Sequence, residues 1–363
     1  MQEGGHRARP QGARRSRGQR SPRLRPHRRA GEDGAERLTQ SLAERFRRQA
    51  EACERTGSRL YADLCRRLAE EPLVRELPPD DGWDFPVRLL GGLHYLMLAG
   101  RSPGWEWGEV RETLGRERDW LAAFTAGQTV QTNEVQRCWA LVPAFLSLAG
   151  RPFELVELGS SAGLNLVWDR YRYRYAGGSW GPDGSPLELS GEERRPVPAE
   201  LLSRDVEVVR RRGIDLEPVD LSSDDGVRLL SCFVWADQPE RLERLRAAIE
   251  VARADPPEIL RGDYVDVLPG ILADRVSGAL AVVFQTVSTI YLSKERYAEL
   301  RRIVDEAEPP VAWISTRRLD EDETGVEGGF ELELRADERA PARLVARLGY
   351  HGQWLEWRGL REP

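Results

Sequence analysis

The chain has 363 residues, 40% hydrophobic and 31% charged, enough material for one large or two medium globular domains. Its longest nearly apolar stretch, Leu89–Ala99, is broken by Gly91, Gly92 and His94; it falls short of the ~20 residues a helical membrane span needs, so no membrane role is expected. Net charge is −6, and ten arginines against Glu3 give residues 1–30 a charge of +9, leaving −15 for residues 31–363, a balance that argues against nucleic-acid binding as the main task of the fold.

Residues 1–33 are rich in Arg, Gly, Pro and Ser with almost nothing apolar, which predicts a disordered tail. A basic arm for nucleic acid or an Arg-rich targeting peptide is the competing reading of that segment. No apolar run follows it, so a secretory signal is not expected. Cys53, Cys65, Cys138 and Cys232 are widely spaced without a C-x-x-C, and His6, His27, His94 and His351 are scattered. Neither a metal site nor a disulfide framework is expected, and reduced thiols suit a cytoplasmic location.

Residues 34–150 read as an all-helical region of about five helices. Leu38, Leu42, Phe46, Ala50 and Cys53 form one apolar stripe at helical spacing. Ser58 is placed to cap a second helix carrying Tyr61, Leu64 and Leu68. Pro86 suits the first turn of a third, with Leu89, Leu90, Leu93 and Met97 on its face. Thr132 is placed to cap a further helix bearing Val135, Cys138, Trp139, Val142, Phe145 and Leu146.

Residues 151–363 change period. Phe153–Leu158 is a short buried strand ending on Gly159, and Ser160–Trp168 reads as a tight turn opening a helix. Tyr171, Tyr173 and Tyr175 alternate with Arg172 and Arg174, and a return strand over Leu187–Ser190 makes a half-buried hairpin, an Arg/Tyr nucleobase platform being the alternative. A helix over Arg241–Ala254, strands over Glu258–Asp263 and Ala279–Phe284, a helix over Ser293–Ala307 and a strand over Val311–Ser315 follow. Strands over Phe330–Arg335 and Gln353–Arg358 close the chain as a hairpin. Alternating β and α units predict an α/β fold: a doubly wound, mostly parallel, Rossmann-like sheet with a C-terminal strand hairpin; the glycine turn and the resemblance described below imply that it is of methyltransferase type.

The turn Glu157-x-Gly159-x-Ser161-x-Gly163 carries most of the functional information. A dinucleotide site needs G-x-G-x-x-G, whose later glycines would fall at Ser161 and Leu164, so that reading fails. Gly159-Ser160-Ser161-Ala162-Gly163 matches the G-x-S-x-G nucleophile elbow of a serine hydrolase. Such an enzyme also needs a downstream acid and histidine, and only His351 follows, ahead of the last strand. The first motif of class I S-adenosylmethionine-dependent methyltransferases, acid-x-Gly-x-Gly-x-Gly between strand and helix, fits with Ser161 in place of the middle glycine. An α/β domain that kept the shape and lost the cofactor stays open beside it.

The chain resembles the bacterial family called domain of unknown function 2332. The resemblance covers about residues 37–360 and rests on Gln131-Thr132-Asn133-Glu134-Val135, Glu157-Leu158-Gly159-Ser160-Ser161-Ala162-Gly163-Leu164-Asn165-Leu166, Trp168-Asp169-Arg170-Tyr171, Val234-Trp235-Ala236-Asp237-Gln238, Arg261-Gly262-Asp263 and His351-Gly352-Gln353-Trp354. It implies a methyltransferase-like fold. Where relatives are expected to carry a His-Ser pair after the fourth strand, this chain has Gln285-Thr286, and a neutral glutamine cannot act as a general base.

The expected function is S-adenosyl-L-methionine binding and methyl transfer to a small or medium acceptor, with the helical region as a lid. Glu157, Gly159, Ser160, Ser161, Gly163, Asn165 and Asp263 are the expected cofactor residues. Gln285, Thr286, Asn133 and Glu134 are the catalytic candidates, with Gln131 beside them. Glu188, Glu192, Asp215 and Glu217 are the candidates for the acid that holds the ribose. A serine hydrolase acting through Ser161 and a non-catalytic binding or scaffold protein are the alternatives.

Overall fold

The computed structural model describes residues 41–78, 82–131, 133–319, 328–336 and 341–360. The tail 1–33, Leu38 and Thr132 lie outside the described residues.

Helices Leu42–Arg55, Arg59–Glu70, Phe85–Leu98, Trp107–Arg116 and Arg118–Gly127, with a single turn at Pro72–Arg75, make up the N-terminal region. The expected stripe points inward, with Phe46, Ala50 and Cys53 buried. Ser58 caps its helix by accepting from the Tyr61 N–H at 3.3 Å, and Pro86 sits in the first turn of the next long helix. These helices enclose a core of their own, built on Phe46, Tyr61, Leu64, Leu68, Leu89 and Leu93. Trp235 enters that core from the later part of the chain, its ring centroid 4.4 Å from that of Tyr61. Two residues on, the Asp237 carboxylate accepts from the Ser58 hydroxyl at 2.7 Å and the Leu60 N–H at 3.1 Å. The Trp235–Gln238 stretch therefore docks the two parts together, beside the packing of Phe124 against Cys232 and Phe233.

A further helix, Arg137–Ser147, packs with the sheet instead: Cys138, Trp139, Val142 and Phe145 belong to the sheet's main apolar core. Secondary structure changes near Pro152, but the chain changes cores at about Val135.

Strands β1 (Phe153–Leu158), β6 (Val208–Asp215), β7 (Glu258–Arg261), β8 (Leu280–Gln285), β9 (Ala312–Leu319), β10 (Gly329–Arg335), β11 (Arg343–Leu348), β12 (Trp354–Trp357) and β5 (Glu192–Arg195) form one nine-stranded sheet in the order β5-β12-β11-β10-β9-β8-β1-β6-β7. It is a mixed, mostly parallel α/β sheet: β7, β6, β1, β8 and β9 run parallel. β1 alternates in the way a doubly covered strand must. Phe153 and Leu155 face the helices Arg137–Ser147 and Pro239–Ala254, while Val156 and Leu158 face Tyr264–Ala273 and Lys294–Asp305.

Three expectations need correction, and one strand carries no expectation at all. The C-terminal hairpin is a meander, because β11 runs between β10 and β12 and pairs antiparallel with both. Its alternating Arg343 and Arg347 hide a strand; Arg347 is partnered across the ladder by Glu331 at 3.1 Å. The turn after β1 opens a 3-10 helix, Leu164–Arg170, and not an α-helix. The Tyr171 hydroxyl donates to the Leu164 carbonyl and the Tyr173 hydroxyl to that of Trp168, both at 2.7 Å, supplying those carbonyls with donors from outside the helix. In the second sheet the return strand of β2 (Arg172–Tyr175) is β3 (Gly178–Trp180), whereas β4 (Glu188–Ser190) pairs parallel to β2. Finally, β6 is a full strand despite Arg210-Arg211-Arg212. Arg211 donates to Asp169 at 2.6 Å, and Arg212 is paired in the interior with Glu154.

Candidate functional site

From β1 the chain builds outward to β6 and β7, then crosses back to build β8 and β9 on the other side. The reversal leaves a switch point between β1 and β8, and in open α/β sheets the crevice at the carboxyl ends of such strands is where ligands sit. Exposed apolar side chains rim that edge: Leu216 after β6 is 63% exposed, and Ile290 and Tyr291 after β8 are 37% and 48% exposed.

Glu157, on β1, is buried. Its Oε1 accepts from Asn165 Nδ2 at 3.0 Å, and Asn165 Oδ1 accepts from the Cys138 thiol at 3.2 Å. Its Oε2 is buried without a partner. Burial is the main force on this carboxyl and the charge of Asp215 adds to it; against the Asn165 hydrogen bond they push it up to about 8. A buried acid so placed favours a cationic partner.

The turn itself is built by close approach. Gly159 (φ +72°) and Gly163 (φ +74°) take left-handed conformations. A Cβ on Gly159 would stand 2.4 Å from Ser288 Cβ, and one on Gly163 2.7 Å from Pro257 Cγ. Ser161 also has positive φ, +52°, at a cost of order 1 kcal/mol for a residue with a Cβ. Its N–H donates to Asp215 Oδ2 at 2.7 Å. Its hydroxyl donates to Gln131 Oε1 and accepts from Asn133 Nδ2 at 2.7 Å, tying the loop before Arg137 down onto the turn. Among the described residues no histidine hydrogen-bonds Ser161; its hydroxyl is held by the two side-chain amides of Gln131 and Asn133. The Ser160 hydroxyl is buried without a partner.

The four candidate ribose acids separate. Asp215 ends β6 beside the turn, and its Oδ1 accepts the Glu217 N–H at 2.9 Å. Glu217 itself is exposed. Glu188 and Glu192 lie on β4 and β5, paired with Arg174 and Arg194. Asp263 follows β7 and caps the next helix, accepting from the Val265 N–H at 2.8 Å while its other oxygen pairs with Arg296 at 2.9 Å.

Gln285 ends β8, 1% exposed. Its Nε2 donates to the Thr316 carbonyl at 3.0 Å and its Oε1 is buried without a partner. Thr286 follows, partly exposed. Val287 then has φ +73°, a conformation costing about 1–3 kcal/mol for a branched side chain, and the next residue closes the clasp when the Ser288 hydroxyl donates to the Leu158 carbonyl at 2.6 Å. Neither Val287 nor Ser288 carries any signal in the sequence, since their role depends on which loop faces them. Beside the turn, a groove of about 440 Å³ is lined by Tyr95, Trp120 and Phe124 from the helical region together with Val219; the Val219 N–H donates to the Ser161 carbonyl at 3.4 Å.

Glu134 shares the loop of Gln131 and Asn133 but faces away from Ser161's partners, toward Arg241 Nη2 at 2.7 Å and His351 Nδ1 at 3.6 Å. Burial pushes its carboxyl up, but Arg241, His351, Arg244 and Arg137 outweigh it and hold the group below the usual range.

Against known proteins, the family described as an uncharacterized protein conserved in bacteria, DUF2332, matches residues 43–357. That span is most of the chain, and the chain belongs to this family. No curated protein matches it.

Proposed function

We propose that this member of the DUF2332 family binds S-adenosyl-L-methionine in the crevice between β1 and β8 and transfers its methyl group to a small or medium acceptor. The observation that carries the reading is Glu157: a buried carboxyl one residue before the end of the first strand, with one oxygen unpartnered and its proton held to about 8. Its place before a Gly-x-Ser-x-Gly turn is the place of the acid beside the amino-acid end of that cofactor.

The cofactor, when bound, supplies an electrophilic methyl group on a sulfonium. Glu157 would meet the ammonium, giving up its proton to do so, and Asn165 orients the carboxylate through the bond to Oε1. Asp215, at the end of β6, would take the ribose, and Asp263 retains lone pairs that could accept from the adenine amino group. The unpartnered Oε1 of Gln285 accepts a hydrogen bond from an incoming N–H or O–H. It cannot take the proton. Either the acceptor needs no base or another group supplies it, and the rate then comes mainly from alignment with water kept out. The aromatic groove beside Val219 offers the acceptor a surface.

A cofactor-free scaffold is the second reading, favoured by one observation: Gly159 and Gly163 are already packed against Ser288 and Pro257, which accounts for both glycines without a ligand. Calorimetric titration of the full chain with S-adenosylmethionine and S-adenosylhomocysteine separates the two. Methyltransferase-like binding gives heat with both, and below pH 8 it releases the proton that Glu157 gives up to the ammonium. No heat and no thermal shift with either ligand overturns the proposal.

A further inference from the structure

The cluster around Glu134 carries more positive charge than the fold can use. Arg241 pairs with Glu134. Arg137 is 7% exposed; its Nε donates to the Tyr350 carbonyl at 3.0 Å and its guanidinium lies over the Phe330 ring. Arg244, one turn beyond Arg241, has a buried Nε with no partner. Among the described residues neither Arg137 nor Arg244 lies within ion-pair distance of any carboxylate. Yet both act on Glu134 and on His351. Three guanidiniums thus share one carboxylate.

Unlike a lysine or a histidine, a guanidinium cannot shed its proton to escape burial. His351 does what it can. Burial first, then the three arginines, push it down to about 3, so it adds no charge near neutral pH, leaving the cluster at a net +2. An uncompensated buried charge is costly unless something pairs with it. The forked donors of arginine match the two oxygens of a carboxylate or the face of a phosphate. The cluster also reaches the crevice: β11 runs parallel to β9 through the meander, so Tyr350 and His351 lie at the carboxyl edge, and Tyr291, on the rim after β8, is near enough to act on the charge of Arg137.

We propose that Arg137, Arg241, Arg244 and His351 form a receptor for an oxyanion, a carboxylate or phosphate, on a ligand of this crevice. That the oxyanion belongs to an acidic methyl acceptor or to the cofactor's own carboxylate rests on the methyl-transfer reading; the oxyanion site itself does not.

The test is calorimetry and thermal denaturation of the full chain with sodium phosphate and with sodium succinate, against chloride at equal ionic strength. Wild type is expected to bind at least one of them saturably and to gain melting temperature. Arg244→Gln, which has no hydrogen bond to lose, is expected to bind about tenfold or more weakly. Without anion it should melt above wild type, because repulsion is relieved; a purely structural arginine would lower it. Arg137→Gln should also bind more weakly, but it loses the bond to the Tyr350 carbonyl, so the melting comparison rests on Arg244→Gln. Heats and melting shifts equal to those of chloride, or undiminished binding by Arg244→Gln, overturn the proposal. S-Adenosylmethionine and its decarboxylated analogue then identify the source. Weakening of the first alone by Arg244→Gln assigns the oxyanion to the cofactor, and no effect on either assigns it to the acceptor. A chain that binds phosphate or succinate but neither nucleoside keeps the oxyanion site and loses only the methyltransferase reading.

Discussion

Glu157→Gln removes an ionisable group that the folded chain holds protonated far above the ordinary carboxylate range. The unfolded chain releases this proton near 4.5, whereas the folded chain keeps it to about 8. Between those values the folded state binds the extra proton, so this site's contribution to stability is full below 4.5, falls as pH rises, and is exhausted above 8. A difference of that size corresponds to on the order of 5 kcal/mol across the window. Glutamine keeps the acceptor for Asn165 Nδ2 and cannot ionise, so the variant lacks this slope. Urea denaturation of wild type and variant at several pH values through the window measures it. His351 and His94, both pushed down chiefly by burial, bend the stability curve the other way, weakening the fold as pH falls below 6.5, but they are common to both proteins and cancel in the difference. The expected result is a variant close to wild type near 4.5 and more stable by several kcal/mol above 8. A difference that stays flat with pH would refute the assignment of a buried, protonated acid at this site.

Two further outcomes follow from the packing. Glu154→Ala strands Arg212, whose partner it is in the interior, and also abandons the Val276 N–H that Oε2 accepts at 2.7 Å; denaturation should show a loss of about 3–5 kcal/mol, and a loss under 1 kcal/mol would mean that Asp274 alone satisfies the arginine. Asp237→Ala should cost about 1–2 kcal/mol through the lost partners of Ser58 and Leu60; hydrogen exchange should quicken first in the Arg59–Glu70 helix, and an effect spread evenly over the sheet would contradict the docking role.

Legibility in the sequence tracked how local each cause is. β1, β8 and β9 announce themselves because a strand covered on both faces must be apolar, and the stripe through Phe46, Ala50 and Cys53 because one helix face meets one core. β6 and β11 do not. Their arginines look like solvent-facing charge until Glu154, Asp169 and Glu331, remote in the sequence, are brought alongside. The 3-10 helix after the turn is hidden for a similar reason, since the donors to its carbonyls come from Tyr171, just past its end, and Tyr173 on β2. At the site, Glu157 and Ser161 were legible from spacing within seven residues of Gly159–Gly163 and its strand. The guanidinium cluster was not, for Arg137, Arg241 and His351 arrive from three separate elements and nothing in any one of them names the others.

The ends of the large sheet bear on how the protein behaves in a crowd. A nine-stranded sheet has two edges, each a row of backbone groups able to recruit a strand from a neighbouring chain. One edge here is β5, whose four residues, Glu192, Glu193, Arg194 and Arg195, are all charged. The other is β7, equally short, with Glu258 and Arg261 exposed at its two ends. A strand from another molecule would bury charge along the whole of β5 or at both ends of β7, and the register available is only four residues long. Long sheets of this kind are the ones most exposed to edge-to-edge association during folding, and this chain meets that hazard with brevity and charge at both margins.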